Sequence, residues 1–276
     1  MILALQGPSG PLQGLFKSLS PPVSFEDALR SISEHLIRMD NSPIDIDELN
    51  VAVIISGEAA TDQKVHGDAK HDRITRDEIA AIYLYTMEFT GYSFYHLINS
   101  TLRAEDRNTL KPFVPYVWLF MHALNACPAF ENTLVYRGVK LDIHADYQVG
   151  RRICWQPVTS ATWDLGVQQT FCGKFGPRTM FHLEVSCRRG RMIHKYSQIK
   201  KEQEVVFPPG SRFEVMGVID LGSELFMVNL KELPPLEYIL RFDQPPASSL
   251  SAAAVQGATN QLSALTVSSP PPPVPS

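Results

Sequence analysis

Residues 200–210 read KKEQEVVFPPG: two carboxylates, Glu202 and Glu204, stand at the entrance to an apolar run that Pro-Pro-Gly ends. The run over 205–207 has the composition of a strand, and Pro-Gly is a turn signal. Side chains two apart on a strand point the same way, so the spacing predicts both carboxylates on one face. Like charges that close raise one of the two pKa values, an arrangement that is costly unless something uses it. Taken alone, the stretch is explained equally well as a solvated strand edge neutralised by Lys200 and Lys201.

Two pieces upstream have related character. Residues 134–138 read LVYRG. An arginine closing an apolar strand, followed by glycine, sets a guanidinium that grips phosphate oxygens bidentately beside an accessible backbone N–H. Residues 155–162 read WQPVTSAT, in which Ser160 and Thr162 alternate with Thr159 and Ala161 and so share one strand face. Singly, the first piece is an ordinary surface arginine and the second an ordinary polar strand face.

These pieces sit in the second half of a chain that changes texture at Pro128. Before it, helical spacing dominates. Ser24 caps a helix carrying Phe25, Leu29, Ile32 and Leu36. Thr75 with Glu78 forms a capping-box pattern ahead of Ile79, Ile82, Tyr83 and Met87. Residues 92–102 and the apolar stretch 111–126 predict two further helices, the latter closed by Cys127-Pro128. Residues 40–72 read as a mixed segment with one strand-like run, Val51 to Ile55, ending at Gly57. After Pro128, strands are predicted over 133–137, 149–153, 156–161, 179–185, 191–194, 204–207, 212–221 and 225–233. The expected fold is α+β: a helical part, 23–130, beside a β-rich part, 131–240, of two facing antiparallel sheets. Segments 1–22 and 241–276, rich in Gly, Pro, Ser and Ala, are expected to lack order. The terminal SSPPPPVPS favours polyproline II, the form that SH3- and WW-type domains bind.

The 276 residues carry a net charge of −4 and are 44% hydrophobic, which supports a sizeable core and gives no reason to expect a nucleic acid or a membrane surface as partner. The N-terminus lacks a basic signal-peptide region, no stretch has the length of a membrane span, and the Pro-rich C-terminus lacks a GPI signal; a cytoplasmic protein is expected. The four cysteines form no CxxC pair, and His66 and His71 lie in a polar loop, so no metal is expected. Asn99-Ser-Thr101 is a glycosylation sequon without meaning absent secretion. No Gly-rich phosphate loop of the Rossmann or Walker type is present.

Taken in order, Tyr136-Arg137-Gly138, then Thr159-Ser160-Ala161-Thr162, then Glu202-Gln203-Glu204 before an apolar strand and Pro-Gly, resemble the R-S-E class of mono-ADP-ribosyltransferases. The resemblance runs from about Thr75 to Leu233 and departs from the pattern at Thr162, where many members carry serine. It implies NAD⁺ as co-substrate and a protein with an exposed arginine as acceptor. It implies that Arg137 holds the NAD⁺ phosphates, that the Gly138 backbone bonds the nicotinamide amide, and that Ser160 positions the ribose and the catalytic carboxylate. Glu204 would accept from the ribose 2′-hydroxyl, Glu202 would face the acceptor arginine, and Phe171, with Phe175 as competitor, would stack on the nicotinamide. Tyr196 either packs on the target protein or belongs to the core. The same site serves an NAD⁺ glycohydrolase, and a scaffold that binds NAD⁺ without turnover is the alternative outside enzymes.

Overall fold

The architecture is that of a computed structural model, which describes residues 22, 24–39, 42–164, 166, 172–173, 175–200 and 203–235. Phe171, Glu202, nearly all of segment 1–22 and the whole Pro-rich tail lie outside them. The described residues belong to one unit, Met1–Arg241; a second unit, Phe242–Ser276, lies outside them.

Helix α1, Phe25–Ile37, begins as its sequence predicts: the Ser24 side chain accepts from the Asp27 N–H, and Phe25, Leu29, Ile32 and Leu36 are buried. Burying each such side chain is worth about 1.5–3 kcal/mol. Helix α3, Arg76–Tyr85, has the full capping box between Thr75 and Glu78. A two-residue hairpin, β1 (Glu88–Phe89) with β2 (Tyr92–Ser93), leads into α4, Phe94–Arg103. A 3-10 segment, Arg107–Phe113, precedes α5, Val114–Ala126.

The strand expected over Val51–Ile55 is instead the middle of α2, Ile46–Val65. Asp45 caps this helix, its carboxylate accepting from the N–H groups of Asp47 and Glu48. The buried face is made of Leu49 followed by small residues at helical spacing (Ala52, Ser56, Gly57, Ala60), and α2 packs on α3. Val51, Ile54 and Ile55 face solvent, so their apolar, β-branched character marks no core strand. Tertiary packing of the small-residue stripe overrides local propensity here. No described helix is long and apolar enough to cross a membrane.

The β-rich part comprises β3 (Leu134–Val139), β4 (Arg152–Trp155), β5 (Thr159–Thr162), β6 (Arg178–Glu184), β7 (Arg191–Met192), β8 (Glu204–Phe207), β9 (Ser211–Asp220) and β10 (Leu225–Leu233). They form one eight-stranded sheet in the order β4-β9-β10-β6-β3-β5-β8-β7. The expected pair of antiparallel sheets is thus a single mixed sheet, with β10 parallel to β6 and the other described pairs antiparallel. Its two halves, β4-β9-β10-β6-β3 and β5-β8-β7, are joined through one residue pair, Tyr136↔Thr162. Side chains of both halves enter one core, with Val135, Phe181 and Phe213 from the first and Ala161, Val205 and Phe207 from the second.

That core is tight at Gly190. A Cβ there would stand 2.8 Å from Val205 Cγ1 and 3.4 Å from the Phe207 ring. Gly190→Ala is therefore expected to cost about 1–3 kcal/mol through overpacking. The measurement is urea unfolding, with a lower midpoint at unchanged slope; a midpoint equal to that of the parent protein is the contrary result.

Candidate active site

The joint between the sheet halves opens a cavity. Beyond Tyr136↔Thr162, strands β3 and β5 part, and a space of about 540 Å³ lies between them, walled by Arg137, Gly138, Ser160, Thr162 and Glu204 from the sheet and by Tyr85, Tyr95 and Asn99 from the helices. Strands β5 and β8 are antiparallel, with Thr162 opposite Glu204 and Ser160 opposite Val206. Glu204 is two residues from Val206, so Ser160 and Glu204 are diagonal neighbours on one face, within reach of each other. The Ser160 hydroxyl donates to Glu204 Oε1. Arg137, on β3, donates from Nη1 to the Ser160 carbonyl at 2.7 Å. The arginine, the serine and the second glutamate of the three sequence pieces thus meet in one place.

Two of the expected site residues, Glu202 and Phe171, are not placed by the structure. Gln203 has a φ of 47°, in the left-handed region that costs a non-glycine residue about 1–2 kcal/mol. The chain turns at that residue and β8 begins only at Glu204, so the alternation rule does not place Glu202 on the same strand face. Glu202 itself lies outside the described residues, as does Phe171. Phe175, the competitor for the stacking role, is 91% exposed and does not line the cavity.

The family model described as NAD:arginine ADP-ribosyltransferase matches residues 49–233. The chain belongs to that family. It is 31% identical over 169 residues to the NAD(+)–protein-arginine ADP-ribosyltransferase Tre1 of Serratia proteamaculans (strain 568), a match covering 58% of this chain and 33% of that protein. The chain therefore spans about a third of the length of that curated relative. Among solved structures, the ADP-ribosyltransferase HopU1 of Pseudomonas syringae pv. Tomato DC3000 is similar with a TM-score of 0.56 at 20% identity, over 78% of this chain and all of that one. The eukaryotic mono-ADP-ribosyltransferase ART2.2 is similar with a TM-score of 0.55 at 17% identity, over 77% of this chain and 88% of the other. Both likenesses bear on the fold.

The helical wall of the cavity is what the sequence did not disclose. Tyr95 and Asn99 are four apart on α4, hence on one helix face, and both line the cavity. Asn99 Nδ2 donates to the Tyr85 hydroxyl at 3.3 Å, while Asn99 Oδ1 is buried without a hydrogen-bond partner among the described residues. At 7% exposure, Asn99 also cannot serve as a glycan acceptor in the folded chain. The available signal was a polar residue on the buried face of an amphipathic helix.

Charges of both signs line the cavity, Arg137 and Lys140 against Glu88 and Glu204. Burial pushes the Arg137 guanidinium down from its ordinary pKa, against the opposing pull of Tyr85, Tyr147, Tyr95 and Glu204. Burial, and next the charge of Arg137, push Arg103 down as well. Burial, followed by the negative charge of Glu204, pushes the Tyr85 phenol up, so it stays protonated at neutral pH. A guanidinium whose charge burial disfavours, as at Arg137 on the cavity wall, is relieved by an anion beside it. Among the described residues no three His, Cys, Asp or Glu side chains gather as a metal site would need, and all four cysteines are free thiols.

Proposed function

We propose that this chain is an NAD⁺–protein-arginine mono-ADP-ribosyltransferase, which moves ADP-ribose from NAD⁺ to an arginine guanidinium of another protein and releases nicotinamide. The contact series Arg137–Ser160–Glu204 inside one cavity, in a chain of the arginine-directed family, carries the reading. The cavity volume falls in the range of small-molecule sites. The buried cation Arg137, with Lys140 on the same wall, suits phosphate oxygens, and the orphaned Asn99 Oδ1 suits a ligand donor.

Each residue then has a task. Arg137 holds the phosphates. Gly138, bare of side chain, lets the nicotinamide amide reach the backbone. Ser160 holds the Glu204 carboxylate by its hydroxyl. As the bond from the ribose carbon to nicotinamide breaks, Glu204 stabilises the growing positive charge on that carbon more than it stabilises the ground state. Glycosidases meet a similar charge with carboxylates. Glu202 binds the acceptor guanidinium and takes the proton it loses when its nitrogen bonds the ribose carbon. Phe171 keeps the stacking role on the nicotinamide ring.

The test is incubation of the purified protein with NAD⁺, with and without agmatine as an arginine analogue, followed by mass spectrometry. ADP-ribosyl-agmatine together with nicotinamide is the expected result. Free ADP-ribose alone would make the chain a glycohydrolase, and no NAD⁺ consumption by folded protein would leave a binding module.

A further inference from the structure

The segment that delivers Glu204 to the cavity is tied to the helical part at two points, and the first of these lies outside the cavity. Residues 193–203 connect β7 to β8, of which 201 and 202 lie outside the described residues. Ile193 pairs with the start of β8, its N–H donating to the Glu204 carbonyl, and a turn follows at once in which Tyr196 and Ser197 both donate to the Ile193 carbonyl. Its anchor is Asp72, in the turn between α2 and α3. One carboxylate oxygen, Asp72 Oδ2, accepts from Lys195 Nζ and from the Tyr196 hydroxyl, each at 2.6 Å. Tyr196 is 2% exposed, so it lies in this junction and offers no surface to a target protein. The turn that carries Asp72 is itself fastened, because Lys64 at the end of α2 donates to the carbonyls of Ala69 and Asp72. The second tie is at Thr86, which caps α3. Its hydroxyl accepts from the Gln198 N–H at 2.9 Å and so joins the α3 terminus to the same segment. Next along the chain comes Ile199, which lines the cavity as Thr86 does.

We infer that Asp72 is a positioning residue: through Lys195 and Tyr196 it clamps the 193–199 segment to the helical part and so sets where the acceptor arginine meets Glu204. The inference rests on the transferase reading above. Arg137, Ser160 and the β5–β8 ladder hold the NAD⁺ side of the cavity without Asp72, so the clamp acts on the acceptor side. The two donors hold the Asp72 carboxyl below the usual carboxylate range, and it is therefore ionised throughout the neutral region. A shift of about 1 Å in a reacting group costs on the order of 10²-fold in rate, and loss of one of two ties is expected to produce part of that.

The variants are Asp72→Asn, which removes the charge at constant size, and Tyr196→Phe, which removes one hydrogen bond and keeps the buried ring. In each, NAD⁺ hydrolysis without acceptor is expected to stay within about twofold of the parent while the rate of ADP-ribosyl-agmatine formation falls about tenfold and the KM for agmatine rises. Amide exchange is expected to quicken over 193–199 and to stay unchanged in α4 and β5. A merely structural role would lower both reactions together with thermal stability. Unchanged exchange over 193–199 in both variants, or an unchanged ratio of transfer to hydrolysis despite faster exchange, overturns the inference. If the parent protein itself consumes no NAD⁺, the transferase reading falls, and the exchange measurement alone decides whether the clamp exists.

Discussion

Glu204→Gln is expected to reduce nicotinamide release from NAD⁺ by at least about 10²-fold, the loss seen when one preorganised electrostatic group is taken from a reacting centre. That is about 2.7 kcal/mol of transition-state stabilisation. The substitution keeps size and an acceptor oxygen for the Ser160 hydroxyl, so only the charge is removed. Three consequences follow from this. The thermal midpoint should stay near the parent value. NAD⁺ affinity should change little, because Arg137 and the backbone at Gly138 are untouched. The Tyr85 phenol, which Glu204 helps to push up, should titrate at a lower pH in the variant, since the negative charge beside it is gone. Single-turnover measurement of nicotinamide release separates the chemical step from binding. Turnover within a few-fold of the parent would take Glu204 out of the chemistry.

Glu202→Gln is expected to divide the two reactions that Glu204→Gln stops together. An arginine guanidinium is protonated at any accessible pH and is a poor nucleophile until a neighbouring carboxylate binds it and takes its proton. General-base assistance is worth about 10²–10⁴-fold, so ADP-ribosyl-agmatine formation should fall by at least about 10² while NAD⁺ hydrolysis stays within about twofold. The assay with and without agmatine reads both products at once. Transfer that persists at the parent rate would show that Glu202 does not face the acceptor. The pair also differs from the Asp72 variants, which are expected to weaken transfer in part.

The helices were legible where local chemistry governs them. Ser24, and the reciprocal bonds of Thr75 and Glu78, announce their helix starts within four residues. The strands from β3 to β10 were legible through β-branched runs between turn residues, with shifts of a few residues at the ends. Val51–Ile55 misled because a β-branched run on the solvent face of a helix has the same composition as a buried strand; the deciding residues, Ala52, Ser56 and Ala60, are small and carry little local signal. The joining of the strands into one sheet rests on a single pair, Tyr136↔Thr162, which no local pattern could reveal.

Within the candidate site, Arg137, Ser160 and Glu204 were legible because each sits in a short motif at a strand boundary. Tyr85 and Asn99 come to the cavity only through the tertiary placement of α3 and α4, and so left no linear trace. The left-handed turn at Gln203 is likewise a property of the folded backbone, not of the residue type.

The position of β10 has a consequence for how the molecule is made. Leu225–Leu233 is the last described strand in the sequence, yet it lies inside the sheet between β9 and β6, and β4 at the edge pairs with β9, about sixty residues onward. During synthesis, the first half of the chain has emerged long before its sheet can close, and β6 waits with an unpaired edge until residues 225–233 leave the ribosome. Long-range pairing of this kind is slow and leaves strand edges open to wrong partners. The helices α1 to α5, built from local contacts, can form first and stand as the surface on which the late strands assemble. A nascent chain halted before residue 225 would lack the strand that joins β9 to β6, and with it the continuity of the sheet.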